Sequence, residues 1–215
     1  MTMDTRHIIE SKKRQIENGL EDLFAEVTAA LEQAIQCLVK MDENVCQSLV
    51  ELEAGLNEKW RVVEQDCLIA LASQQPMASD LRDIVAEMHI GAELNRMGDY
   101  GCDIAASILE MDDTPIESLG LLEVQMMASI CQQMAHNVLR AHKNGDVALA
   151  NRVIDTDDEL DILQKKLIGV LMAAMRADPA NVQNGSRMLW IAHNLERYGD
   201  RAVNIARQVV FRIEG

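Results

Sequence analysis

Carboxylates one helical turn apart are the residues of this sequence best suited to chemistry. The stretch NLERYGD (194–200) places Glu196 four residues before Asp200, and DTDDELD (155–161) places Asp157 four residues before Asp161. Like charges at that spacing on a helix repel by about 0.2–0.5 kcal/mol. A bound cation would turn this repulsion into attraction, and clustered carboxylate oxygens suit hard or borderline cations such as Fe, Mn or Mg. If the two helices are neighbours, both pairs face one groove and form a candidate metal site.

The same residues also fit an ordinary solvated helix surface. Acidic faces are expected in an acidic helical protein, and Arg197 and Arg201 offer a way to neutralise the pair of Glu196 and Asp200 without metal. Gly199 favours a more specific arrangement, because glycine inside a helix costs about 1 kcal/mol relative to alanine. It indicates close helix packing at this point. His193, on the same stripe, is a further candidate ligand.

These pairs need helices to position them, and the composition is typical of helices. Only 3% of the residues are aromatic and three are proline, a mixture that favours helices over strands. Breaks are predicted around Asp42, at Pro76, at KNGD (143–146) and at ADPAN (177–181), and DTPIE (113–117) predicts a capping box that starts a helix. The predicted helices span 6–40, 43–72, 76–110, 116–143, 146–176 and 179–213.

Apolar residues spaced by three and four predict the buried side of the last helix: Met188, Ile191, Leu195, Tyr198, Ala202, Ile205 and Val209. The chain also repeats itself. A shift of 101 places Leu94, Arg96, Gly98, Asp99, Ile104 and Ala105 on Leu195, Arg197, Gly199, Asp200, Ile205 and Ala206. The prediction is an all-α protein of two tandem antiparallel three-helix bundles, six helices with a pseudo-twofold internal repeat, divided into residues 1–112 and 113–215.

The net charge, the cysteines and the missing motifs argue against several classes of protein. The net charge is −15, and residues 1–112 carry 13 of these negative charges, which argues against a nucleic-acid partner. Five scattered cysteines fit buried free thiols in a reducing compartment. Neither a membrane span nor a signal peptide is recognisable, so a cytoplasmic protein without direct membrane insertion is expected. No nucleophile motif, phosphate-binding glycine loop or Glu-x-x-His motif is present, and no enzymatic activity is predicted.

Three stretches resemble the PhoU family, the phosphate-signalling regulators of bacteria. LERYGDRAVNIA (195–206) is similar to the family's signature helix, LNRMGDYGCDIA (94–105) to its first-repeat copy, and SQQPMASDLRDI (73–84) to the start of its third helix. The resemblance implies a non-enzymatic cytoplasmic adaptor that represses phosphate-starvation signalling and phosphate uptake. It implies two protein partners, the ATPase subunit of a Pst-type phosphate ABC transporter and a phosphate sensor histidine kinase, and it implies a homodimer.

The resemblance further implies surface metal clusters, one per repeat, held by paired (Glu/Asp)-x-x-x-Asp motifs, with Fe, Mn, Zn or Mg as the metal and none of it required for catalysis. The second repeat has the complete ligand set: Asp157, Asp161, Glu196 and Asp200.

The first repeat departs from this pattern. Glu53 and Asp99 remain, but Asn57 and Asn95 stand at the other two positions. Because amides carry no charge and bind hard cations more weakly, we expect the first-repeat site to be weak or empty. Two other functions fit the sequence: a metal-binding or metal-buffering helical bundle, and a structural helical module whose acidic stripes have no role.

Overall fold

The computed structural model describes residues 3–74 and 78–215, and that part of the chain contains helices and no strand. Six α-helices follow one another: α1 (Met3–Lys40), α2 (Glu43–Gln74), α3 (Ala78–Leu109), α4 (Leu121–Asn144), α5 (Val147–Ala177) and α6 (Val182–Glu214). One turn of 3-10 helix, Pro179–Asn181, precedes α6. The all-α prediction is confirmed, while the break predicted at Pro76 lies outside the described residues.

Helices α1–α3 pack together as one antiparallel three-helix unit and α4–α6 as a second. The units meet where α3 packs against α6 and where α1 packs against α4. Residues that match at the shift of 101, such as Leu94 with Leu195 and Ile104 with Ile205, are fully buried in both units. The predicted pair of repeated three-helix bundles is therefore present. The boundary proposed after residue 112 falls in the connection between α3 and α4.

The apolar seam predicted for the last helix is the buried side of α6. All seven of its residues are buried: Met188, Ile191, Leu195, Tyr198, Ala202, Ile205 and Val209. Glu196 and Asp200 lie beside this seam and are half-buried. Periodicity alone thus located the side of the helix on which the carboxylates stand.

Two of the predicted helix boundaries form as expected. Gly145 ends α4 in the left-handed conformation at φ 61°, and the Asp146 side chain accepts a hydrogen bond of 2.9 Å from the Leu149 backbone N–H at the start of α5. The Asp178 side chain accepts from the Ala180 N–H at 3.0 Å, and the helical backbone starts there as the 3-10 turn before α6.

The capping box predicted for 114–117 does not form, and α4 begins at Leu121 instead of 116. A buried side chain of α6 explains the difference. The Asn184 amide accepts from the Asp112 N–H at 3.0 Å and donates to the Asp112 and Thr114 carbonyls at 3.1 and 2.9 Å. These bonds hold the connection in a non-helical path, and Gly120, at φ 72°, then turns the chain into α4.

The helices are packed around apolar side chains. No helix in the described part of the chain combines the length and the apolar character needed to cross a membrane. All five cysteines are buried and free, as the sequence predicted.

Candidate functional site

The two predicted carboxylate pairs lie beside each other along the contact between α5 and α6. Asp157 is close enough to Asp200 for the two charges to interact, and Asp161 likewise acts on Glu196. The Asp157 Oδ1 atom lies 3.8 Å from the position that a Cβ on Gly199 would occupy. The antiparallel packing of α5 on α6 therefore brings all four side chains into one cluster, which we call the second-unit carboxylate cluster.

The charged forms of two of these carboxylates, Asp157 and Glu196, are disfavoured. Burial raises the pKa of Asp157, and Asp200 and Asp161 raise it further. Burial also raises the pKa of Glu196, and Asp200 and Asp161 add to this rise, while nearby cationic side chains oppose it. The cluster thus holds more negative charge than its surroundings stabilise, a condition that an added cation would relieve.

Arginines compensate part of this charge. Arg197 donates to the Asp200 carboxylate at 3.2 Å, and Arg201 approaches the same carboxylate at 3.6 Å while pairing with Glu93 of α3 at 3.2 Å. Neutralisation by arginine, which the sequence offered as the alternative to metal, is therefore realised at Asp200. His193 stands 3.9 Å from the Glu196 carboxylate, which places it at the edge of the cluster.

The glycines that precede Asp99 and Asp200 allow close helix contact. A Cβ on Gly199 would lie 2.4 Å from the Leu160 Cδ2 atom, and a Cβ on Gly98 would lie 2.7 Å from the Leu56 Cδ1 atom. Both distances are far below van der Waals contact. The close packing that the sequence indicated at these matched positions is present in both units.

In the first unit, two amides pair where the second unit has carboxylates. The Asn95 side chain donates to the Asn57 side chain at 2.8 Å, from α3 to α2. Next to them, burial raises the pKa of Asp99, and Glu53 raises it further. The structure therefore groups Glu53, Asn57, Asn95 and Asp99 in the arrangement that the repeat predicted, with half of the carboxylates replaced by a neutral hydrogen-bonded pair.

Sequence reasoning missed Asp103, one turn after Asp99. Burial raises the pKa of Asp103, and the charge of Asp103 in turn raises the pKa of Asp99, so it adds a carboxylate to the first-unit group. The shift of 101 would have found it, because it places Asp103 opposite Asn204 of α6. Asn204 donates to Glu93 of α3 at 3.2 Å, so this position serves the contact between the units in the second repeat.

The donor chemistry of the second-unit carboxylate cluster fits a hard cation, since it offers four carboxylates, and the pKa values of Asp157 and Glu196 are raised. No three His, Cys, Asp or Glu side chains of the described residues converge tightly enough to hold one ion. To hold a cation here, these half-exposed side chains would have to rotate toward one point. The first unit fits a cation less well, because the hydrogen bond between Asn57 and Asn95 already uses one of its oxygens.

Both three-helix units match one protein-family model. The PhoU domain model matches residues 20–108 and again residues 124–209. The chain belongs to the PhoU family. The two matches cover α1–α3 and α4–α6, so each unit of this PhoU protein is one copy of the domain.

Relatives in this family match nearly the whole chain. The phosphate-specific transport system accessory protein PhoU homolog of Pseudomonas aeruginosa is 28% identical, over 98% of this chain and 88% of that protein. The PhoU homolog of Zymomonas mobilis is 30% identical, over 92% of this chain and 84% of that protein.

Solved structures share the fold. The crystal structure of PhoU from Pseudomonas aeruginosa superposes with a TM-score of 0.92 at 27% identity, covering 96% of this chain and 99% of that one. The phosphate transport system regulatory protein PhoU from Streptococcus pneumoniae, at 22% identity, has the same fold with a TM-score of 0.88, over 95% and 96% of the two chains.

Proposed function

We propose that this protein is a non-enzymatic accessory protein of a phosphate-specific transport system and a negative regulator of phosphate-starvation signalling. In this role it links the ATPase subunit of the transporter to a phosphate sensor histidine kinase, and so lowers phosphate uptake when phosphate is plentiful. The observation that carries the proposal is the PhoU domain match in both units, together with full-length relatives named as accessory proteins of phosphate-specific transport.

The proposed adaptor works in the cytoplasm as a homodimer. Its six helices, four of them 32 residues or longer, offer extended sides on which several proteins can bind at once. Exposed apolar side chains of α2, such as Val62 and Leu68, support the proposed contact between protomers, since protein interfaces bury exposed apolar residues.

A deletion strain carrying a phosphate-regulon reporter tests the adaptor proposal. Loss of the protein is expected to switch the reporter on in phosphate-rich medium, and a plasmid copy is expected to switch it off again. The tagged protein is expected to co-purify with the transporter ATPase and the kinase. A metal-buffering protein would instead change metal tolerance and leave the reporter unaffected, and a structural module would change neither. Either result would overturn the adaptor proposal.

We also propose that the second-unit carboxylate cluster binds a metal such as Fe, Mn, Zn or Mg, with no role in catalysis. The supporting observation is electrostatic, because the pKa values of Asp157 and Glu196 are raised by burial and by neighbouring carboxylates. A divalent cation would stabilise their charged forms. The first unit, with its pair of amides, is proposed to bind metal weakly or not at all.

Elemental analysis of purified protein loaded with Mn²⁺ tests this difference between the units. Replacing Asp161 and Glu196 together by Asn is expected to remove the bound metal, while Glu53→Gln with Asp99→Asn is expected to leave the metal content unchanged. The reverse exchange, Asn57→Asp with Asn95→Glu, is expected to add metal to the first unit. Metal retained after loss of Asp161 and Glu196, or wild-type occupancy of both units, would contradict the proposal.

A further inference from the structure

The second-unit carboxylate cluster is linked to the first unit through two arginines of α6. The Arg201 Nη1 atom lies 3.2 Å from Glu93 Oε2 of α3, and its Nη2 atom lies 3.6 Å from Asp200 Oδ2. Arg197 pairs with the same Asp200 oxygen at 3.2 Å and hydrogen-bonds the Tyr100 side chain of α3. Both arginines beside Asp200 are thus also held by α3, so the charge at the cluster depends on the contact between the units.

Arg201 lies closer to the carboxylate of the first unit than to that of the cluster. Its shorter contact is to Glu93 Oε2, and Asn204 donates to the same oxygen at 3.2 Å. Among the described residues, the buried Nε atom of Arg201 has no hydrogen-bond partner, so the two carboxylates hold the guanidinium in place. If Glu93 lost its charge, Arg201 would pair with Asp200 alone.

Burial makes Arg201 the more effective of the two cations. The Arg201 and Glu93 side chains are 15% and 22% exposed, whereas the Arg197 side chain is 41% exposed. Water and salt screen a charge more at an exposed position than at a buried one. An Arg201 side chain paired with Asp200 alone would therefore oppose a metal ion at this carboxylate more strongly than Arg197 does.

The repeat does not duplicate this contact in the opposite direction. The shift of 101 places Tyr100 opposite Arg201 and Asn194 opposite Glu93. A tyrosine and an asparagine carry no charge at neutral pH, so the matching positions cannot form the same ion pair. The dependence therefore runs from the first unit to the carboxylate cluster of the second.

We propose that Glu93 of the first unit is a positioning residue for metal binding in the second: by holding Arg201, it keeps this cation from pairing fully with Asp200 and leaves the carboxylate available to a divalent metal ion. Arg201 is then a competitor of the metal for Asp200. By reciprocity, metal binding favours the pairing of Arg201 with Glu93, so occupancy of the cluster and the α3–α6 contact stabilise each other. The inference rests on the metal binding proposed above for this cluster.

Titration of the metal-free, full-length protein with Mn²⁺ tests the inference, with free Mn²⁺ measured by electron paramagnetic resonance. Arg201→Gln is expected to bind Mn²⁺ about fivefold more tightly than the wild type, because it removes the competing cation. Glu93→Gln is expected to bind Mn²⁺ about fivefold more weakly, because Arg201 then pairs with Asp200. As a second readout, excess Mn²⁺ should raise the melting temperature more in Arg201→Gln than in the wild type, and less in Glu93→Gln.

The double variant separates positioning from a general effect of charge. If Glu93 acts through Arg201, Glu93→Gln should change Mn²⁺ affinity little in the Arg201→Gln background. A carboxylate that acted through its field alone would weaken binding by the same factor in both backgrounds.

Arg187→Gln is the matched control, because Arg187 of α6 also pairs with a carboxylate of α3, that of Glu110, at 2.5 Å. It lies about 20 Å along α6 from Asp200. Its loss removes an ion pair between the units without changing the cluster, so Mn²⁺ affinity should stay at the wild-type value.

Unchanged or weaker Mn²⁺ binding in Arg201→Gln would overturn the inference, and so would an equal loss from Glu93→Gln in both backgrounds. In these cases the wild type still binds Mn²⁺, and the metal proposal stands. A wild type that binds no Mn²⁺ at the cluster would remove the metal proposal and this inference together. The reporter strain measures neither, so the adaptor function is decided separately.

Discussion

Gly199 and Gly169 both lie inside long helices of the second unit, and the space around each decides what alanine would do there. A Cβ on Gly199 would lie 2.4 Å from the fully buried Leu160 side chain, whereas a Cβ on Gly169 would meet nothing within 4 Å. Gly199→Ala is therefore expected to destabilise the protein by about 1–3 kcal/mol through overpacking. Gly169→Ala is expected to stabilise it by about 0.5–1 kcal/mol through helix propensity. Urea unfolding measures both, and equal stabilities would contradict the packing argument.

The charge of Asp157 is expected to destabilise the fold, whereas a carboxylate in a salt bridge stabilises it. Burial and neighbouring acids raise the pKa of Asp157 in the folded state, so the folded protein gains stability as the pH falls through that raised value, and its charge is a cost at neutral pH. Asp157→Asn is expected to raise the melting temperature of metal-free protein at pH 7, by an amount equivalent to about 0.5 kcal/mol.

Glu159→Gln is the control for that measurement, because Glu159 is exposed on α5 and its replacement should change stability little. A lower melting temperature for Asp157→Asn in the absence of metal would show that this carboxylate stabilises the fold.

At the scale of helices, hydrogen bonds at the ends determine where α4 and α5 begin. The Asp146 side chain accepts from the Leu149 N–H at 2.9 Å, so Asp146→Ala is expected to cost about 1 kcal/mol. Glu117→Ala is expected to cost almost nothing, since Glu117 is exposed and the capping box predicted around it does not form. Chemical denaturation of the two variants measures the difference. A loss in Glu117→Ala as large as in Asp146→Ala would mean that the capping box exists in solution.

At the scale of the whole molecule, a buried ionic network joins the two units. The Glu87 carboxylate of α3 contacts His142 Nε2 of α4 at 2.7 Å and accepts from Arg212 of α6 at 2.6 Å. Arg212 also donates to the His142 carbonyl at 2.5 Å. Because Glu87 and His142 are each only 5% exposed, removal of one partner would leave buried charge or a buried polar group without its hydrogen bond.

This network makes the stability of the fold depend on pH. Burial opposes ionisation of Glu87, but the hydrogen bonds and charges of His142 and Arg212 outweigh it and lower the Glu87 pKa below its ordinary value of 4.5. A carboxyl with a lower pKa in the folded state stabilises the fold above its unfolded pKa and loses that effect as the pH falls through the folded value. The contribution of this network to stability is therefore expected to decrease below about pH 4.5.

The variant Glu87→Gln tests the network. It is expected to lose about 3 kcal/mol at pH 7, and the difference from the wild type should shrink as the pH falls below the ordinary carboxyl pKa. Glu58→Gln, which removes an exposed pair with Arg61 at 3.0 Å, should lose less than about 1 kcal/mol at any pH. Unfolding curves from pH 3 to pH 7 provide the measurement, and a pH-independent loss in Glu87→Gln would contradict the argument.

The sequence by itself determined the helices, their buried sides and the repeat. The apolar seam of α6, the Gly145–Asp146 boundary and the match of Gly98 with Gly199 all rest on spacings within a few turns or on a constant shift along the chain. Such patterns follow from the period of the helix and from hydrogen bonds between close neighbours in sequence. The grouping of Glu53, Asn57, Asn95 and Asp99 was also predictable, because the repeat carries it over from the second unit.

Only the tertiary structure decided the contacts between residues far apart in the chain. Asn184 holds the connection before α4 from about 70 positions away, and Arg212 reaches Glu87 across 125. The exposure of Trp190 also depends on how α6 is rotated against its neighbours. The helical period predicts which side of a helix is apolar. The angle and register at which helices pack depend instead on the shapes of all the side chains between them.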